Sequence, residues 1–594
     1  MSGPGLDTQR TLPELFWYFT KILGPERPFY TLAIIYGIGI GLLSLATPIS
    51  VQMLINSIVN TGLATPLVVL SLTLFALLLL SGLLNALRLH LVDMFGRRFY
   101  ARMVSEIALR AIYAVNPYFD DARKAPLFNR YFDIIIVMKR IPYLLVGGFT
   151  ILLQAAVGFA LTSLYHPAFM AFNLVIIVLI WMLWLIWGRA AIRSAMKLSH
   201  KKHAAAAWLE GLAASNSLFK TQRHIDRALK RTDEITGEYI AQHKLHFRHY
   251  FSQAVGFFVL YALAAASLLG LGGWLVIQGQ LSIGQLVAAE LVLLAVMVGL
   301  SQLGTYLSYF YDLCAAVEEL SLFYDIDKET EEGGDECLPG SSVAMVDMRG
   351  TMRGIEARFN FDLPASSLTF ARAPSFAVQR LFTNVMKRHG KPAGGYVTVG
   401  GVDTMALPAH AFRHEVMVLD RPNIAEMTIR EFLSLSAAEV ESADLIDALE
   451  LVGLSAVVAK LNDGMDNSVA ATGWPLSIAE MMQLKLAVAV IAKPRLLVLN
   501  QLYDMLPWHV LHRCLVTFRD CDDTSVIYFS NREVPDGFSH YLYMGRSQQR
   551  IFTAPQAFAE HFAHRVALRK QANQGQGMSE RPGTTEQRGA PTDG

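Results

Sequence analysis

Six apolar runs, each long enough to cross the roughly 30 Å of a bilayer's hydrocarbon, dominate the first 325 residues. They lie near 29–58, 66–95, 141–165, 168–188, 254–278 and 283–308. Lipid offers no partner for an unpaired backbone N–H or C=O, so runs of this kind must be transmembrane helices. They also explain a chain that is 53% hydrophobic and only 17% charged. A net charge of +1 excludes a protein that coats nucleic acid, and no nucleic-acid partner is expected. The cysteines Cys314, Cys337, Cys514 and Cys521 have neither CxxC nor metal-ligand spacing, which predicts no disulfide framework, no zinc site and no other metal centre.

Charge sets the orientation. The loops near 59–66, 164–168 and 278–285 lack Lys and Arg, whereas the segments after the second and fourth runs are crowded with them, from Arg88 to Arg140 and from Arg189 to Arg248. The positive-inside rule places both segments and both termini in the cytoplasm, and the expected location of this multi-pass protein is the cell (inner) membrane. The two basic segments show helical periodicity, at Arg98–Tyr113 and His200–Lys244, so membrane helices project into the cytoplasm and turn there. His200, Lys201, Lys202 and His203 read as a solvated face, not a metal site on spacing alone. Residues 1–28 carry an aromatic stretch, Leu15-Phe16-Trp17-Tyr18-Phe19, without a signal-peptide pattern. It is expected to form an interfacial helix or one packed on the domain.

Composition changes near residue 326. An acidic, Gly-containing linker (326–339) leads to a soluble stretch, 340–565, that mixes short apolar strands with helices. Leu496–Leu499 and Ser525–Phe529 have the continuous apolar character of buried parallel strands, and Ile478–Ile491 lies between as helix, which predicts an α/β domain. Residues 566–594, rich in Gln, Gly, Pro, Thr and Arg, are expected to be a disordered tail.

Four loose motifs occur in a fixed order through the membrane half: Asn116-Pro117-Tyr118-Phe119 with Phe128–Asp133, Trp208–Leu212 with Ser217–Lys220, Gln280–Leu286, and Ala315–Leu320. With the soluble stretch that follows, they resemble the exporter-fold (type I) ABC transporters, as a half-transporter with a fused nucleotide-binding domain. The resemblance implies a six-helix exporter-type membrane domain over 29–325, an ABC ATPase-like α/β domain over 340–565, and function as a homodimer or as a heterodimer with another ABC half.

Within that resemblance the framework of the soluble half is kept and the chemical residues are altered. The phosphate loop aligns with 373–381, where Ala373, Phe376 and Val378 stand at glycine positions, Gln379 at the lysine and Arg380 at the magnesium hydroxyl. The glutamine that senses magnesium aligns with Asp420, and the signature reads Leu476-Ser477-Ile478-Ala479-Glu480, so Ser477 is kept while Ile478, Ala479 and Glu480 replace the rest. The two carboxylates after the strand become Asn500 and Gln501, and the switch histidine becomes Asn531. An amide binds magnesium poorly and cannot take a proton from water near neutral pH. These substitutions predict a degenerate domain with no catalytic residues and no cofactor, with ATP and magnesium binding put in question.

The expected function is therefore an exporter-like transport component whose ATPase-like domain serves as a dimerisation or regulatory platform, a pseudo-ATPase and not an enzyme. The alternatives are an ATP-driven exporter subunit working with an active partner or at low rate, and a non-transporting membrane scaffold or sensor. Inside the membrane domain, Glu290 is the one acidic residue of the sixth run and a candidate functional group.

Overall fold

The computed structural model describes residues 10–565 apart from 45, 48, 52, 55–63, 116–124, 282, 330–336, 353, 438–439 and 521–522. The chain divides into two units, Met1–Lys328 and Glu329–Gly594.

The first unit is helical. Helices Ala64–Ile112, Pro167–Ala214, Gln222–Ile277 and Ile283–Ser321 contain 49, 48, 56 and 39 residues. At 1.5 Å per residue the longest reaches about 84 Å, well beyond a hydrocarbon layer of about 30 Å, so its polar portion must project far past the lipid. Five helices among the described residues are long and apolar enough to cross a membrane, and they contain the second to sixth expected spans. The first expected span begins as helix Arg27–Leu43, and several residues of its remainder lie outside the described set. The motif Asn116–Phe119, half of the acidic linker and the tail 566–594 also lie outside it.

Two local features depart from simple periodicity. The helix expected to run from His200 to Lys244 stops at Ala214, passes through a 3-10 turn at Asn216–Leu218 and restarts at Gln222. Ser215, Asn216 and Ser217 supply side chains that compete for backbone hydrogen bonds, which explains the break. The second feature follows Pro142, which has no N–H to donate: the helix widens into a π turn at Leu144–Gly148. Tyr306 lies against Gly147 so closely that a Cβ there would overlap its ring.

Side chains join these helices. Asn173 Nδ2 donates to Phe159 O at 3.1 Å, Thr162 Oγ1 at 3.0 Å and Ser163 Oγ at 3.1 Å. Asn129, in the first inner-turn motif, donates to Glu210, in the second, at 3.0 Å. Helix Leu12–Leu23 begins in a Thr11–Glu14 capping box and buries Leu15, Tyr18, Ile22 and Leu23, while Phe16 and Trp17 stay exposed. The His200–His203 face is not solvated as expected: His203 is 5% exposed and His200 is half-buried. The reason is that this turn packs on Glu318 and Glu319 of helix Ile283–Ser321.

The second unit is α/β. Strands β1 (Val343–Met352), β2 (Ile355–Leu363), β4 (Gly394–Val399) and β5 (Val402–Asp403) form an antiparallel sheet in the order β2-β1-β4-β5. The central sheet is ordered β12-β11-β3-β10-β9-β6, from β3 (Leu368–Arg372), β6 (Val416–Leu419), β9 (Leu496–Leu499), β10 (Ser525–Phe529), β11 (His540–Met544) and β12 (Gln549–Phe552). Every pairing in it is parallel except β11 with β12, and β7 (Met427–Thr428) and β8 (Ser468–Val469) pair antiparallel apart from it. All residues of β9 and β10 are buried, as expected of strands covered on both faces.

Candidate functional site

In an open parallel sheet, ligands bind in the crevice beyond the carboxyl ends of the strands. Here β3, β6, β9 and β10 end at Arg372, Leu419, Leu499 and Phe529. The residues singled out from the sequence stand just after these ends: Ala373, Asp420, Asn500 with Gln501, and, beyond Ser530, Asn531.

After β3 comes a short loop, Ala373-Pro374-Ser375, and then helix Phe376–Met386. Phe376 and Val378 lie in the first turn of that helix, not in a glycine-like loop. Val378, Leu381, Phe382, Val385 and Met386 form its buried face, and that apolar burial draws the helix start forward. The N–H groups of Val378 and Gln379 donate to Ser375 O at 3.1 and 3.3 Å, so they are used inside the helix. Gln379 is buried, whereas Phe376 is exposed and Arg380 half-buried.

Asp420 is paired with Lys387, the residue that ends helix Phe376–Met386. Burial pulls the Lys387 ammonium below its ordinary value, with Asp420 opposing. Asn500 Nδ2 donates to Asp420 O at 2.8 Å, and Asn500 Oδ1 accepts from Leu502 N at 3.0 Å. The amide at 500 thus bridges the ends of β6 and β9. Lys485, on helix Ile478–Ala492, donates to Arg421 O at 2.7 Å and Asn423 O at 3.1 Å, and burial pulls its ammonium down to about 8.

The ends of β9 and β10 meet around a carboxylate that sequence reading did not single out. Asp504 accepts from Ser530 Oγ at 2.7 Å, from Asn531 N at 2.9 Å and from the Tyr528 hydroxyl. Beside it, Asn531 Nδ2 donates to Gln501 Oε1 at 2.9 Å. Arg372 donates to Ser530 O at 3.1 Å and to Arg532 O. Its guanidinium lies 4.8 Å from the Phe562 ring. The signal for Lys387, Lys485 and Asp504 is weak in the sequence because each acts through backbone or side-chain groups brought in by another strand.

The signature segment caps a helix. Ser477 is the N-cap of Ile478–Ala492; its N–H donates to Glu480 Oε2 at 2.7 Å, and Glu480 N donates to Ser477 Oγ at 3.3 Å. Glu480 therefore places a carboxylate on the positive end of the helix dipole, the position an anion would otherwise take. Ile478 is exposed and Ala479 half-buried. In the other unit, Glu290 is exposed on its helix, far in sequence from these groups.

Magnesium needs hard oxygen donors, several of them charged. Arg380 is a cation, and both polar atoms of Asn500 already have partners, so the residues at the magnesium positions do not fit the ion and no step is derived through it. What remains is a hydrogen-bonded frame joining the ends of three parallel strands.

Residues 30–300 match the family model of the ABC transporter transmembrane region. The chain is 22% identical over 532 residues to the ABC multidrug transporter mdr2 of Aspergillus fumigatus, covering 82% of this chain and 63% of that one. It is 23% identical over 279 residues to the toxin RTX-I translocation ATP-binding protein of Actinobacillus pleuropneumoniae, covering 44% of this chain and 38% of that one. It is 22% identical over 249 residues to the beta-(1-->2)glucan export ATP-binding/permease protein NdvA of Bartonella bacilliformis, covering 39% and 40%. The chain thus spans less than two thirds of the length of each of these relatives. In fold it matches the structure of a bacterial Atm1-family ABC exporter with ATP bound, at a TM-score of 0.77 and 17% identity, over 91% of this chain and 99% of that one.

These similarities overturn one expectation. Several of the proteins that the chain resembles are named for ATP binding together with export, which points to an ATPase and not to the non-enzymatic domain expected above. The physical reason is that the substituted residues alter individual positions while the frame carrying them is intact, so lost charge at those positions does not establish a lost reaction.

Proposed function

We propose that the chain, with residues 30–300 matching the ABC transporter transmembrane region and a fold matching that of an exporter, is an exporter-fold ABC transporter half that works as one subunit of an ATP-driven membrane exporter. The subunit pairs with a second half, identical or related, and the pair turns over ATP at low rate or chiefly at the site whose charged groups the partner supplies. In this reading Ala373, Phe376, Val378, Gln379, Arg380, Asp420, Asn500, Gln501 and Asn531 face one nucleotide position, and Ser477 to Glu480 face the other. Both termini are in the cytoplasm, and the membrane is the cell (inner) membrane.

The observation that carries the reading is the convergence at the strand ends. Residues far apart in the chain, Asp420, Asn500, Gln501 and Asn531, join in one hydrogen-bonded frame at the edge where an α/β sheet holds ligands. A buried amide such as Asn500, with donor and acceptor both satisfied, fixes the frame without charge.

Ligand binding to the folded state raises its stability by mass action. ATP should therefore raise the melting temperature of the detergent-purified chain, together with any co-purifying half, while AMP should not. No shift at millimolar ATP, either alone or with the partner, would overturn the proposal.

A further inference from the structure

In the first unit, three carboxylates and two imidazoles meet beyond the apolar part of the helices. Helix Pro167–Ala214 presents His200 and His203 one turn apart on one face. The opposing helix, Ile283–Ser321, presents Glu318 and Glu319, and Asp133 starts helix Asp133–Tyr143 beside them. Glu318, Glu319 and Asp133 are all at most 1% exposed. His200 lies about 18 Å past the end of the apolar run at residue 188, at 1.5 Å per residue.

The ligand atoms of these side chains lie close together. His200 Nε2 is 2.7 Å from Glu318 Oε2 and 3.8 Å from Glu319 Oε1, and His203 Nε2 is 4.0 Å from that same Glu319 Oε1. One ligand atom from each of His200, Glu318 and Glu319 lies within 4.8 Å of the others. In tetrahedral zinc sites, bonds of about 2.0–2.2 Å place neighbouring ligand atoms about 3.3 Å apart, so small side-chain rotations suffice.

Two observations favour an ion over a network of protons. First, Glu319 Oε1 is buried with no hydrogen-bond partner, although both imidazoles face it. Protonated imidazoles already serve other acceptors, His200 at Glu318 and His203 at Asp133 Oδ2, 2.5 Å away, so protonation leaves Oε1 unserved. Second, among the described residues the permanent cations paired with these carboxylates are Arg130 on Glu319 at 2.6 Å and Lys202 on Asp133 at 2.7 Å, so Glu318 depends on His200 for its counter-charge. A buried carboxylate without compensation is costly. Arg130 also holds Glu319 Oε2, which turns the free Oε1 towards the imidazoles, as outer partners orient metal ligands. A cavity of about 660 Å³ lies next to the cluster, lined by Asp133, Lys202 and His203.

We propose that His200, Glu318 and Glu319 form a binding site for a divalent transition-metal ion of the zinc class, with water at the fourth position. The mixed imidazole and carboxylate set favours zinc over magnesium or calcium. The bound ion fastens helix Pro167–Ala214 to helix Ile283–Ser321 and so sets the spacing of the inner ends of the membrane helices. This departs from the expectation of no metal centre, because the two carboxylate ligands come from a residue pair more than a hundred positions away.

The test is zinc content and stability of the tag-free full chain in detergent, stripped with EDTA and then given Zn²⁺. The wild-type chain should retain one Zn²⁺ after gel filtration and melt at a higher temperature with it. Glu319→Gln keeps the side chain's shape and should lower zinc affinity by at least about 100-fold, as should His200→Ala, since each removes a direct ligand. Lys201→Ala, an exposed residue paired with Glu238, should bind zinc as wild type does. Co²⁺ in place of Zn²⁺ should give the visible bands of four-coordinate nitrogen and oxygen ligation, lost in Glu319→Gln. Equal zinc retention by wild type and a folded Glu319→Gln chain, or no retained zinc in wild type, would overturn the site. Should His200→Ala fail to fold, Glu319→Gln and the Co²⁺ spectrum still decide.

Discussion

Asn531 Nδ2 donates to Gln501 Oε1 at 2.9 Å, joining the end of β10 to the end of β9. The resemblance to exporter-fold ABC transporters aligns these positions with a carboxylate and a histidine, and here both are amides. Gln501→Glu keeps the acceptor that Asn531 uses and adds a group able to take a proton. A placed general base contributes about 10²–10⁴ in rate. Phosphate release by the reconstituted pair should rise at least about tenfold in Gln501→Glu, and an unchanged rate would show that the missing base does not limit turnover.

Asp504 holds the neighbouring strand end. In Asp504→Ala the hydroxyls of Tyr528 and Ser530, both on buried residues, lose their acceptor together with the N–H of Asn531. Buried donors left unpaired cost about 1–3 kcal/mol each, although water entering the vacated space offsets part of this. Denaturant unfolding of the second unit's signal in the full chain should show a loss of about 3 kcal/mol. A loss below about 1 kcal/mol would mean that the frame does not depend on this carboxylate.

Lys485 gives a pH test. Its ammonium titrates near 8 in the folded chain, below the ordinary 10.5, because burial disfavours the charge. Between these values the unfolded chain binds more protons than the folded one, so this group's contribution to stability rises with pH from about 8 to about 10.5. Wild type should therefore gain stability relative to Lys485→Met when the pH is raised from 7.5 to 9.5, measured by chemical denaturation. A constant difference would show that Lys485 is not buried as described.

Much of this arrangement was legible in the sequence. The continuous apolar runs Leu496–Leu499 and Ser525–Phe529 could be little else than buried parallel strands, and they are paired in register. Ser477-x-x-Glu480 is a capping box by spacing alone, and it caps the helix. Other features depend on partners that local pattern cannot supply. The start of helix Phe376–Met386 is fixed by burial of Val378 and Phe382, which overrides the loop geometry an alignment suggests. His200 and His203 look solvated beside two lysines until Glu318 and Glu319 are brought against them from another helix. Asp504 carries no motif, and its role exists only because β9 and β10 are neighbours.

The membrane unit offers a packing test at Gly147. The π turn after Pro142 brings its backbone against Tyr306, and an added Cβ would overlap the ring. Gly147→Ala must displace Tyr306 or the turn, at about 1–3 kcal/mol, the usual cost of overpacking. Thermal melting in detergent should fall, and Gly147→Ala with Tyr306→Leu should recover part of the loss. Additive losses in the double variant would show that the two residues do not meet.

The central claim, an ATP-driven exporter subunit, is tested most directly by phosphate release from ATP by the full chain reconstituted in lipid vesicles, alone and with any co-purifying half. The account predicts ATP-dependent release that depends on the chain being present, that vanadate suppresses, and that Gln501→Glu raises. Release no higher than that of empty vesicles, under both pairings and in Gln501→Glu, would contradict it.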